Sequence, residues 1–135
     1  MNKSMKSKIA SLTFRGFEVS PHVIEEMLSV KASETGERGA HVRAGVSALL
    51  KRSFARFSIE LEPDCRLDQA VPILLAHAGG LQRLKSVREV ITPECLELDI
   101  TWPVKGSDEQ EGGFLPIVVL SDLANLECSL SFGFI

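Results

Sequence analysis

Tyrosine is absent from the 135 residues, tryptophan occurs once, and cysteine occurs three times. A strand-tracking nucleic-acid binder needs exposed aromatic platforms and a basic surface; the missing tyrosine and a net charge of −3 argue against that class. Cys65, Cys95 and Cys128 are odd in number and widely spaced, so they do not form the even framework of a small secreted domain. The expected compartment is the reducing cytoplasm, and the expected role of the three thiols is packing or surface filling. No apolar run approaches the roughly 18 residues of a membrane span. The opening MNKSMKSK is basic and polar with no apolar stretch behind it, so it reads as a frayed tail over residues 1–8 and not as a secretory signal.

The usual chemical signatures are missing too. There is no GxxxxGK[ST], no GxGxxG, no HExxH and no CxxC pair. Gly45-Val46-Ser47-Ala48-Leu49 lacks the second glycine of a nucleophile elbow. His22, His41 and His77 fall one to an element. What remains is ordinary globular usage, 44% hydrophobic and 24% charged, which excludes a disordered chain, a collagen repeat and a coiled-coil rod. A chain of this length buries roughly 68–70% of its unfolded surface, enough for a core without metal or disulfide staples.

Four segments alternate apolar and polar residues, the mark of a half-buried strand. They cover residues 10–16, 55–62, 95–104 and 128–135. Their inward sets are Ala10, Leu12, Phe14; Ala55, Phe57, Ile59, Leu61; Leu96, Leu98, Ile100, Trp102, Val104; and Cys128, Leu130, Phe132, Phe134. Ser20-Pro21 pairs an N-cap with proline at the first helical position, and Val23, Ile24, Met27 and Leu28 continue as a helical stripe over residues 21–29. Further helices are expected over 69–78, capped by Asp68, and over 81–90, with Gly79-Gly80 between them and Thr92-Pro93 as a stop. Residues 31–53 are glycine-containing and charged, with a short helix left open over 43–52. Residues 105–113 read as an exposed acidic loop, and 116–126 as a helix in preference to a strand. Strict alternation leaves one sheet face wet. The expected fold is therefore a single α+β domain with one four-stranded, mainly antiparallel or mixed sheet and helices on one face.

This layout resembles a family of small bacterial proteins catalogued as a domain of unknown function. The residues that carry the likeness are Ser20–Leu28 (SPHVIEEML), Gly36 to Gly39, Phe57 to Leu61, and LPIVVLSDLANLECSLSFGF over 115–134. Family members often place an aromatic residue in the loop before the second strand, where Phe54 is the only candidate here. The resemblance implies a helix over 116–126 and carries no residue roles.

Charge is lopsided along the chain. Residues 1–57 hold ten basic and five acidic groups; residues 58–135 hold five basic and thirteen acidic. Arg38, His41, Arg43, Lys51, Arg52 and Arg56 gather in one stretch with Phe54 and Phe57 interleaved. This makes the 36–56 segment a candidate docking surface for an acidic partner, against the plainer reading of a solvated loop. Glu60 and Glu62 project from the outward face of one strand, Glu97 and Asp99 from that of another. If those strands paired, four carboxylates would crowd one open face, able to hold a divalent cation or raise a pKa for acid–base work. The plainer reading is a polar sheet face partly neutralised by Arg15.

The function expected from these features is a non-enzymatic binding or protein-interaction module. Its candidate binding residues are Arg38, His41, Arg43, Arg52, Arg56, Glu60, Glu97 and Asp99. No catalytic residue, metal site or cofactor is assigned. The alternative is a small-ligand or metal-binding enzyme built on the outward carboxylates. The expected partner is another protein or a second copy of the chain, with no membrane and no nucleic acid. Two routes to self-association present themselves. One stacks two wet faces about 10 Å apart, against the repulsion of Glu60, Glu62, Glu97 and Asp99. The other pairs the charge-free strand at 128–135 edge to edge, and is preferred.

Overall fold

The computed structural model describes residues 7–103 and 113–135. Most of the expected tail, all but one residue of the acidic 105–113 loop, and Val104 lie outside those residues. The described chain runs β1 (Lys8–Arg15), α1 (Pro21–Leu28), β2 (Glu34–Gly36), β3 (Phe54–Leu61), α2 (Leu67–His77), α3 (Leu81–Ile91), β4 (Cys95–Trp102), α4 (Ile117–Asn125) and β5 (Cys128–Phe134). The domain is α+β with one mixed sheet of order β2-β3-β1-β4-β5.

That is five strands where four are expected. The addition, β2, has no apolar alternation of its own. It is a strand because its three residues pair antiparallel with β3, Glu34 opposite Arg56 and Gly36 opposite Phe54. Residues 43–52 are not a helix. Their backbone folds back on residues 39–42 through Leu50 N–H to Ala40 O at 2.8 Å and Val42 N–H to Ala48 O at 2.9 Å.

Local signals place most other boundaries. The Ser20 hydroxyl accepts from the His22 amide at the start of α1, with Pro21 in the first turn. α2 begins ahead of the expected Asp68 cap. Its N-cap is Arg66, whose amide donates to the Gln69 side chain at 3.1 Å, while Asp68 sits inside the first turn and chelates the Arg66 guanidinium. Gly79 and Gly80 separate α2 from α3 at φ +109° and +95°, a region that costs residues with a Cβ.

The topology explains why only one face is covered. β1 lies between β3 and β4 and is antiparallel to both, so β3 and β4 run parallel to each other. β4 and β5 are also parallel. Both crossovers, β3–α2–α3–β4 and β4–α4–β5, therefore step the same way across the sheet from strands of the same sense. Right-handed connections then deliver their helices to the same face. Beneath them Ala10, Leu12, Phe14, Phe57, Leu98 and Ile100 are fully buried, with Leu12 standing between Phe57 and Leu98. Of the described strand residues expected to face the core, five fall short. Ile59 is half-buried on β3, and on β5 Cys128 and Leu130 are half-buried while Phe132 and Phe134 are 37% and 54% exposed. β5 is an edge strand; its first residues, Cys128 and Leu130, are half-buried, but no described element covers its far end.

Candidate functional site

Register fixes which residues share the uncovered face. One row crosses all five strands as Glu34, Arg56, Thr13, Glu97 and Ser129. A neighbouring row holds Gly36, Phe54, Arg15 and Cys95, and another holds Ser58, Ser11, Asp99 and Ser131. Charges alternate. Arg56 meets Glu34 at 2.5 Å and donates to the Thr13 hydroxyl at 3.2 Å; Arg15 meets Glu97 at 3.2 Å. Asp99 is hydrogen-bonded to Ser131, and Ser11 to Ser58 at 2.8 Å.

The expected carboxylate cluster does not form. β3 and β4 do not pair, because β1 runs between them. Glu60 faces Ile9 of β1, so Glu60 is kept apart from Glu97 and Asp99, and Glu62 lies beyond the end of β3. Among the described residues no three His, Cys, Asp or Glu side chains come together as a metal-binding group. Arg15 does neutralise Glu97, as the plainer reading of this face has it.

The basic stretch is dispersed in the same way. Arg38 reaches Glu18 at 3.6 Å, Arg52 reaches Glu94 at 3.1 Å, and Arg56 holds Glu34. The His41 ring is tied to Val46 O at 2.8 Å, inside the same loop. Arg43 is exposed and makes no ion pair among the described residues. Arg38, Arg52 and Arg56 thus each already hold a carboxylate from another segment.

Phe54 has a place that its position in the basic stretch does not disclose. It is on the open face yet only 9% exposed, between the guanidinium groups of Arg15 at 5.7 Å and Arg56 at 5.2 Å. Gly36 and Leu50 lie over it: a Cβ on Gly36 would come within 2.5 Å of the ring and 2.6 Å of Leu50. Phe54 is packed under β2 and the loop and is not an available stacking platform.

The sparsely covered surface is elsewhere, around α4 and β5. Ile117, Val118 and Leu120 on α4 are 84%, 65% and 48% exposed, while Val119 and Leu123 turn inward. Phe132 and Phe134 stack at 5.6 Å near the end of β5 and stay accessible. The signal for this patch is present in the sequence. Four consecutive apolar residues on a helix spread over about 300° of arc, so one buried stripe cannot take them all. Arg88 of α3 secures the junction, donating to Leu126 O at 3.1 Å and Pro93 O at 2.8 Å. Beside it, burial pushes the Cys128 thiol up to about 12, against the pull of the Arg88 charge. Burial also raises Cys65 and Cys95, and all three thiols are unpaired.

No family model, curated protein or solved structure matches the chain. Among the described residues, no helix is long and apolar enough to cross a membrane.

Proposed function

We propose that this chain is a protein-interaction module that binds another polypeptide through the β5 edge and the adjoining outer face of α4. One observation carries the reading. Among the described residues β5 is an edge strand of seven residues with no charged side chain and an exposed Phe134, and the α4 that packs on it leaves Ile117 and Val118 exposed. Edge strands are ordinarily blunted by charge, proline, shortness or a covering element. The opposite edge follows that practice: β2 is three residues long and carries Glu34. An unblunted edge beside an apolar helix face suits strand addition, where main-chain hydrogen bonds supply affinity and flanking side chains supply choice. The open sheet face and the 36–56 loop are weaker contact surfaces, because Arg15, Arg38, Arg52 and Arg56 already hold carboxylates. Three unpaired thiols accord with work in a reducing cytoplasm.

Site-specific photo-crosslinking tests the reading. A benzophenone side chain at Val118, irradiated in cells of the source organism, is expected to give discrete heavier protein adducts. The same group at Glu60, on the open face, is expected to give none. Absence of adducts at Val118, or equal yields at both positions, rejects the assignment.

A further inference from the structure

We infer that the polypeptide β5 receives is β5 of a second copy, paired antiparallel about a two-fold axis at Ser131 to make one continuous sheet from two five-stranded halves. The inference rests on the interaction reading above and names its partner. The Ile135 amide donates to Trp102 O of β4 at 3.1 Å, so odd-numbered residues of β5 turn their N–H and C=O toward β4. Cys128, Leu130, Phe132 and Phe134 therefore direct theirs to the free edge. These four are also the residues on the helix-covered face. Setting Ser131 against Ser131 places Leu130 opposite Phe132 of the second copy and Cys128 opposite its Phe134. All four outward-facing residues then exchange main-chain hydrogen bonds, because Ser131 is the midpoint of the strand. A shift by two residues either way loses one of these pairs.

The side chains agree with the backbone. Residues directly opposite in an antiparallel pair point to the same side, so apolar Leu130 and Phe132 meet on the covered face, and Ser131, Ser129 and Gly133 meet on the open face. No charged side chain of β5 enters the seam. A two-fold axis normal to the sheet keeps both helix-covered faces on one side, so α4, which packs on β5, flanks the seam from each copy. A strand pair alone falls short of the roughly 1,000 Å² that a stable interface buries. The exposed Ile117 and Val118 supply further apolar area, and Asp122 is the only charge on α4.

Sedimentation of the full chain across the micromolar range, with disulfide trapping, tests the register. In a Cys95→Ser, Cys128→Ser background, Ser131→Cys sits in a non-hydrogen-bonded pair whose Cα atoms approach to about 4.5 Å, within disulfide reach. It is expected to oxidise to a covalent dimer, whereas Ser129→Cys, which would face Gly133, is not. Phe132→Asp is expected to shift the sedimenting species to monomer mass. A monomer throughout with no trapping at Ser131→Cys overturns the inference, as does trapping that is equal at both positions. If such a monomer still photolinks through Val118 to a different protein, the self-pairing fails and the interaction reading stands. If Val118 forms no adduct at all, both fail.

Discussion

Cys128 occupies the point where α4 hands over to β5, and its thiol shows how burial sets reactivity. Desolvation raises it to about 12 from an ordinary value of 9.0. A folded-state pKa raised above the unfolded one favours the fold at all pH below the unfolded value, and that contribution is lost as pH climbs through the folded value. At neutral pH the raised value keeps the thiol protonated, so alkylation of Cys128 is expected to be slower than that of an ordinary thiol and to speed up on unfolding. Iodoacetamide labelling read by peptide mass checks this; labelling at the rate of a free thiol contradicts it. Asp68 shifts the other way. The hydrogen bonds from the Arg66 guanidinium, aided by its charge, hold the carboxyl below its usual range. Its contribution is present above the unfolded pKa and lost as pH falls through the folded one. Asp68→Asn is therefore expected to flatten the loss of thermal stability below about pH 4; coincident acid limbs for variant and parent would reject it.

Elements hold together through a few positions that tolerate little change. Leu98 is fully buried on β4 between Leu12 of β1 and Leu130 of β5. Leu98→Ala is expected to cost about 2–5 kcal/mol in urea unfolding through lost transfer energy and a cavity; a cost under 1 kcal/mol would mean that the site collapses freely. The turn between α2 and α3 offers a sharper contrast. Gly79 and Gly80 both have positive φ, but a Cβ on Gly79 would lie 2.8 Å from Leu28 O, whereas one on Gly80 meets open space. Each substitution to alanine carries backbone strain of order 1–3 kcal/mol. Gly79→Ala is expected to be the more damaging, because Leu28 is backbone at the end of α1 and cannot step aside. Equal melting temperatures for the two variants would refute the contact argument. Element identity was largely legible beforehand: Ser20-Pro21 announced α1, and Thr92-Pro93 closed α3. The 43–52 segment was not legible, because Val46, Leu49 and Leu50 recur at helical spacing without a face to bury.

Across the whole molecule the lopsided charge resolves into pairs. The basic first half and the acidic second half meet where β1 and the chain before β3 approach β4, joining Arg15 to Glu97 and Arg52 to Glu94. Exposed pairs of this kind are worth little singly, yet they tie Arg15, Arg38, Arg52 and Arg56 to carboxylates. Stability is expected to be graded from the centre outward. β1, paired on both sides, should exchange its amides slowest, and the exposed 42–48 loop fastest. Limited trypsin digestion is expected to cut first at Arg43. A first cut elsewhere in the described chain, with 42–48 protected, would contradict this grading.

The face that each residue of a strand takes was determined by sequence alone, because alternation at period two leaves a strand only one way to bury its apolar set. Ala10, Leu12, Phe14, Leu96, Leu98 and Ile100 needed no partner to be assigned to the core. Strand order was decided only by tertiary structure. Nothing local in Glu60 or Glu97 says that β1 will lie between β3 and β4, and that placement dissolves the carboxylate cluster and leaves alternating ion pairs. The same holds for β2, which is a strand only because β3 is there to pair with it. It holds too for β5, whose alternation suited a buried strand but whose place at the edge leaves Phe132 and Phe134 exposed. Patterns between near neighbours specify what a segment is. Which segments lie side by side depends on pairings between residues far apart in the chain, and those pairings decide which edge and which helix face stay uncovered among the described residues.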